Sequence, residues 1–173
     1  LAEMGPYRLL SLLANFCERG RMNDFASLVR HPDVSRWLDN KVRPKQLIRE
    51  LDEYIRNHLP TRPGNWLGPD QASSEISVAH EEIEQLMQPW QHDAQKLGPW
   101  ASEIGNTLAK VYANLQLDRS NPNDHYQALA FVEIRRALEQ HNAVPDLLAP
   151  KISASGATRL LLDQLASVAL PPP

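Results

Sequence analysis

Pro44-Lys45-Gln46-Leu47-Ile48-Arg49-Glu50-Leu51-Asp52-Glu53-Tyr54-Ile55-Arg56-Asn57-His58-Leu59-Pro60 is the stretch that decides the fold class. Leu47, Ile48, Leu51, Tyr54, Ile55 and Leu59 recur at i, i+1, i+4, i+7, i+8 and i+12, a single apolar stripe at the helical period. Lys45, Arg49, Glu50, Asp52, Glu53 and Arg56 cover the opposite face. Pro44 suits a first helical turn, where its missing N–H costs nothing, and Pro60 stops the pattern.

The same reading extends toward the N-terminus. Leu9, Leu10, Leu12, Leu13 and Phe16 predict a helix over Pro6–Cys17 with Gly20 as its stop. Asn23 is expected to cap a short helix holding Phe25, Ala26, Leu28 and Val29, and Pro32 to start another carrying Val34, Trp37 and Leu38.

Toward the C-terminus, residues 60–71 are rich in proline and glycine and read as a loop or lobe boundary, with Trp66 and Leu67 folding back onto the core. Ser74 begins a helix bearing Ile76, Ala79, Ile83, Leu86, Met87 and Trp90, which Pro89 should kink or split. Gly98-Pro99 restarts the chain into a stripe of Trp100, Ile104, Leu108, Val111, Tyr112 and Leu115. Asn121-Pro122 caps a helix with Tyr126, Leu129, Ala130, Val132, Ala137 and Leu138. After a turn over Val144–Ala149, Ser155 is expected to cap a last helix, Ala157–Ala169. No alternating β pattern, Asn-Gly hairpin or internal repeat occurs. The expectation is an all-α, irregular bundle of seven to nine helices, a single domain over 1–173 with 1–62 and 70–173 as candidate lobes.

The chain has 173 residues, enough for one sizeable core. Fourteen prolines against seven glycines fit a chain that uses proline to begin helices. The single cysteine, Cys17, cannot form an intrachain disulfide or a thiolate metal cluster and suits a reducing compartment. No apolar run reaches the ~18–20 residues of a membrane span, and no basic-then-apolar leader opens the sequence. The expected location is cytoplasmic. Leu1 and the closing Leu170-Pro171-Pro172-Pro173 resemble cut points, so the expectation is a piece of a larger protein.

Candidate chemistry is sparse, and no enzyme is expected. His80 and Glu84 are one turn apart, but the second histidine of a zinc-protease signature is absent, so a surface pair is the expectation. Glu81, Glu82 and Glu84 read as a solvated helix face rather than an acid–base pair. No serine lies in a nucleophile elbow, Cys17 sits in an apolar helix, and neither a phosphate-binding loop nor a dinucleotide fingerprint occurs. No catalytic residue, metal or cofactor is expected.

Charge is more informative. Through Arg62 there are 11 basic and 8 acidic residues, a net of +3; the remainder has 7 and 13, a net of −6. A basic first third with Trp37 in it could track a phosphate backbone, and Arg30, Arg36, Lys41, Arg43, Lys45 and Arg49 are the candidate DNA-contacting residues. Ordinary helix-face solvation, with Asp and Glu interspersed, is the competing reading. The four tryptophans suit packing at helix joints better than base stacking.

Three stretches carry a family resemblance: Gly5-Pro6-Tyr7-Arg8-Leu9-Leu10-Ser11-Leu12-Leu13, then Phe25-Ala26-Ser27-Leu28-Val29-Arg30-His31-Pro32-Asp33-Val34, and finally Ser153–Ala166 followed by the proline run. Together they resemble the helical accessory region inside the helicase-like half of AddB/RecC-type proteins. These are inactivated superfamily I helicases with a PD-(D/E)XK nuclease domain further downstream. Residues 60–150 match no motif, and the matched stretches are structural, so no catalytic residue is carried over. The resemblance implies DNA repair and recombination, acting on duplex ends and unwound strands. The implied partners are the rest of the parent chain, single-stranded or forked DNA, and a helicase-nuclease subunit, with no membrane. The alternative is a structural or protein–protein interaction module with no direct DNA contact.

Overall fold

The computed structural model describes residues 1–67, 74–118 and 120–168. Among them are eight α-helices: α1 (Gly5–Arg19), α2 (Met22–Val29), α3 (Pro32–Leu38), α4 (Pro44–His58), α5 (Glu75–Met87), α6 (Leu97–Val111), α7 (Pro122–Asn142) and α8 (Ala154–Ala166). The only extended pairing among the described residues is one antiparallel bridge, Gln95 to Ile152. Four helices carry proline in their first two positions: α1, α3, α4 and α7. Pro89 splits the chain after α5 into a 3-10 turn, Gln88–Gln91.

Helix α1 is the organising element. Leu9, Leu10, Leu13, Ala14 and Phe16 are buried on it, and it packs on α2, α3, α7 and, most extensively, α8. Helix α8 answers with buried Ala154, Ala157, Leu161 and Leu165. Arg159 pins the seam from outside, its guanidinium donating to Glu18 and, at 3.3 Å, to Asn15. The start of α8 is held by a backbone carbonyl with two donors. Ile152 O accepts from Gln95 N at 3.0 Å and from the Trp100 indole at 2.8 Å. Trp90 donates its own indole N–H to Thr107 at 2.8 Å, so both buried tryptophans are satisfied.

Core side chains from 1–62 and from 74–168 belong to one apolar cluster. Just after the first of these stretches, Trp66 stacks edge-on against Tyr54 and His80. The Tyr54 hydroxyl accepts from Leu67 N–H at 3.1 Å and donates to Asn65 O at 3.4 Å.

Several local expectations need correction. Leu67 does not fold back onto the core with Trp66, its side chain being 57% exposed, and Leu115 lies beyond the end of α6 at Val111. Asn23 lies inside α2, whose N-cap is Arg21. The cap of α8 is Ser153, accepting from Gly156 N–H, while Ser155 is buried one position inside the helix. Leu59 is not part of the buried stripe of α4. It takes the left-handed conformation that ends the helix, φ 45°, and its side chain is 80% exposed. The predicted end of α8 at Ala169 lies outside the described residues.

Candidate nucleic-acid interface

Helix α4 buries Leu47, Leu51 and Tyr54 and packs on α5, and the two helices cap each other. The backbone N–H of Arg43, at the α4 N-cap, donates to the Glu75 carboxylate at 2.9 Å. The N–H of Glu75, first residue of α5, donates to Glu50 of α4 at 3.0 Å. Each carboxylate thus lies against the positive end of its neighbour's macrodipole. The hydrogen bond from Arg43 N–H holds the Glu75 carboxyl below its ordinary range.

This arrangement uses up most of the candidate DNA-contacting cations. Arg43 Nε donates to Glu75 at 2.8 Å, Lys41 pairs with Glu82 at 2.8 Å, and Arg30 pairs with Asp52. Arg36 is held at the other side of α3, bonded to Asp33 at 2.8 Å and lying over the Tyr112 ring. The six residues therefore do not form one equivalent set. Lys45 and Arg49, one turn apart on the exposed face of α4, have no acidic partner among the described residues, and Arg56 extends the same face. Asp52 and Glu53 interrupt this ridge, so its positive character depends on the Lys45–Arg49 end.

A polar node at Asp33 was not legible in the spacing. Asp33 is buried and accepts from Arg36 and, at 2.6 Å, from the Tyr112 hydroxyl. His31, also buried, caps α3 by accepting from Asp33 N–H at 3.3 Å. Burial holds the His31 imidazole below its ordinary pKa, aided by Arg8 and Arg36 and opposed by Asp33 and a backbone bond at Gly5. Burial and the Asp33 carboxylate push the Tyr112 phenol up. The node joins α1, α3 and the end of α6. A side chain at Gly5 would place its Cβ 2.8 Å from the Asp33 carboxylate.

The remaining candidates pack. His80 lies 3.6 Å from Glu84, yet it is no surface histidine. Its side chain is 15% exposed, and its ring stands edge-on to Phe25 and Trp66. Burial lowers its pKa, against the pull of Glu84 and Glu81. Glu82 is engaged by Lys41. Cys17 points its thiol toward Trp90 O at 3.8 Å, and burial raises its pKa, which disfavours the reactive thiolate. Among the described residues no group of three or more His, Cys, Asp or Glu side chains could hold a metal ion, and no helix is long and apolar enough to cross a membrane.

No family model matches the chain, and no curated protein or solved structure matches it.

Proposed function

We propose that this chain is a non-catalytic helical accessory domain of a helicase/nuclease-like DNA repair and recombination protein, bracing its core and touching DNA through α4. The observation that carries this reading is the α1–α8 seam. The stretches with the family resemblance, 5–34 and 153–166, are remote in sequence and pack against each other. A segment whose two ends close on each other can be carried within a longer chain as a rigid unit. The DNA contact is assigned to Lys45 and Arg49, with Arg56 beside them, because their charges are not consumed by neighbours. Such contacts are to phosphates and weaken together as salt rises.

The test is fluorescence anisotropy with forked, single-stranded and duplex DNA at two salt concentrations. Salt-dependent binding that Lys45→Glu/Arg49→Glu abolishes is the expected result. Absence of binding at low salt would refute the DNA contact and leave a brace or interaction module. One observation favours that second reading. Leu147 and Leu148, in the turn between α7 and α8, are 96% and 74% exposed, a leucine pair that suits burial against another protein.

A further inference from the structure

Three arginines converge on a notch just beyond the C-terminal end of α4. Gly20, in the left-handed conformation at φ 56°, turns the chain sharply from α1 into α2. Met22 N–H then donates to Thr61 O at 2.9 Å, drawing the segment after α4 against the start of α2. A notch of about 670 Å³ opens between them, with Arg19, Arg21 and Arg62 around it and Asn23 and Thr61 in its wall. These cations come from two stretches some forty residues apart in the chain, so no local charge run announces them.

Two of the three, Arg21 and Arg62, keep their charge unpaired among the described residues. Arg19 is fixed by Asp24, which is buried and accepts from its Nε at 3.2 Å and from its Nη2. Its Nη1 has no partner among the described residues. Arg21 and Arg62 are exposed and have no acidic partner among them either. The acidic side chain at the rim, Glu18, is engaged by Arg159 of α8. Guanidinium groups held around a concavity repel one another and gain most from a compact, multiply charged oxyanion, to which they present paired N–H donors.

The shape of the charge matters as much as its sign. A linear ridge such as Lys45–Arg49 matches the evenly spaced single charges of a nucleic-acid backbone. A convergent notch matches charge concentrated on one group, and this one has room for more than a phosphate. Exposed guanidinium planes can also stack on a flat base. We infer that the notch is a binding site for a phosphomonoester carried by a nucleotide or by the phosphorylated end of a nucleic-acid strand. The site does not depend on the α4 contact.

The test has two arms on the whole chain. Isothermal titration compares adenosine monophosphate with adenosine. Anisotropy compares one labelled oligonucleotide bearing either a 5′-phosphate or a 5′-hydroxyl. At least a tenfold preference for the phosphorylated probe is expected in one arm or both, and the arm that responds identifies the source. Arg21→Gln/Arg62→Gln should erase that preference. Lys45→Gln/Arg49→Gln should retain it while weakening phosphate-independent DNA binding, which separates this site from α4. Ligand protection of Arg21 and Arg62 from phenylglyoxal, read by mass spectrometry, checks the unmutated protein. No preference in either arm, a preference that survives Arg21→Gln/Arg62→Gln, or tighter binding of a phosphoserine peptide would overturn the assignment.

Discussion

Helices α1 and α4 are both fifteen residues long and both carry proline within their first two positions, yet they occupy opposite situations. Helix α1 touches α2, α3, α7 and α8, whereas α4 rests chiefly on α5. A helix with one neighbour needs one apolar stripe, and everything else on it can be charged. A helix with several neighbours is apolar over much of its circumference, and its period blurs. The clearest helical pattern in the sequence therefore marks an element at the edge of the fold, and a less tidy one marks the centre.

The sharpest way to break this comparison is to put a charge into each helix. Leu10 and Leu51 are both fully buried. Leu10→Asp should abolish cooperative thermal unfolding, because an uncompensated carboxylate there disrupts several helix contacts at once. Leu51→Asp should detach α4 and lower the melting temperature while leaving a cooperative transition of the α1–α8 body. Circular dichroism melts decide between them, and equal loss of the transition would show α4 to be as integral as α1.

Acid should weaken both regions to a smaller degree. The lowered pKa values of His31 and His80 mean that the folded state binds fewer protons than the unfolded one near the ordinary histidine value of about 6.5. Their stability contribution is complete above that value and is lost as pH falls below it. His31 serves the α1–α3 junction, and His80 serves the Trp66 contact over α5. Urea midpoints should drop between pH 7.5 and 5.5, and His31→Gln and His80→Gln should each flatten part of that drop. A midpoint that holds steady or rises on acidification contradicts the burial argument.

The smallest expected effect concerns the charged fastening of α4. Arg43 is 74% exposed at its side chain, so Arg43→Ala should cost only about 0.2–1 kcal/mol and less in high salt. Glu75→Ala should cost roughly 1 kcal/mol more, since it also removes the acceptor for Arg43 N–H at the α4 terminus. Denaturant titration of both variants at two salt concentrations measures the difference.

The same contrast explains what was legible. Helix class, most starts and the split at Pro89 follow from proline, capping residues and apolar spacing, all local signals. Pairing partners are not local. Nothing in the spacing of Lys41 and Arg43 discloses that Glu82 and Glu75 await them on α5, so four of six candidate DNA contacts turned out to be held in ion pairs. His80 misled for a related reason, because its polar neighbours in sequence hide the aromatic rings that meet it in space. Arg62 gave no hint of joining Arg19 and Arg21, since the Met22–Thr61 bond that draws its segment there links positions far apart in the chain.

The α1–α8 seam has a consequence for how the protein is made. Asn15 and Arg159, which meet across it, are 144 positions apart. At ordinary translation speeds that interval is on the order of ten seconds or more. Throughout it, the leucine-rich face of α1 has been synthesised while its principal partner has not. A long-range closure of this kind favours slow folding and leaves the nascent chain open to chaperones.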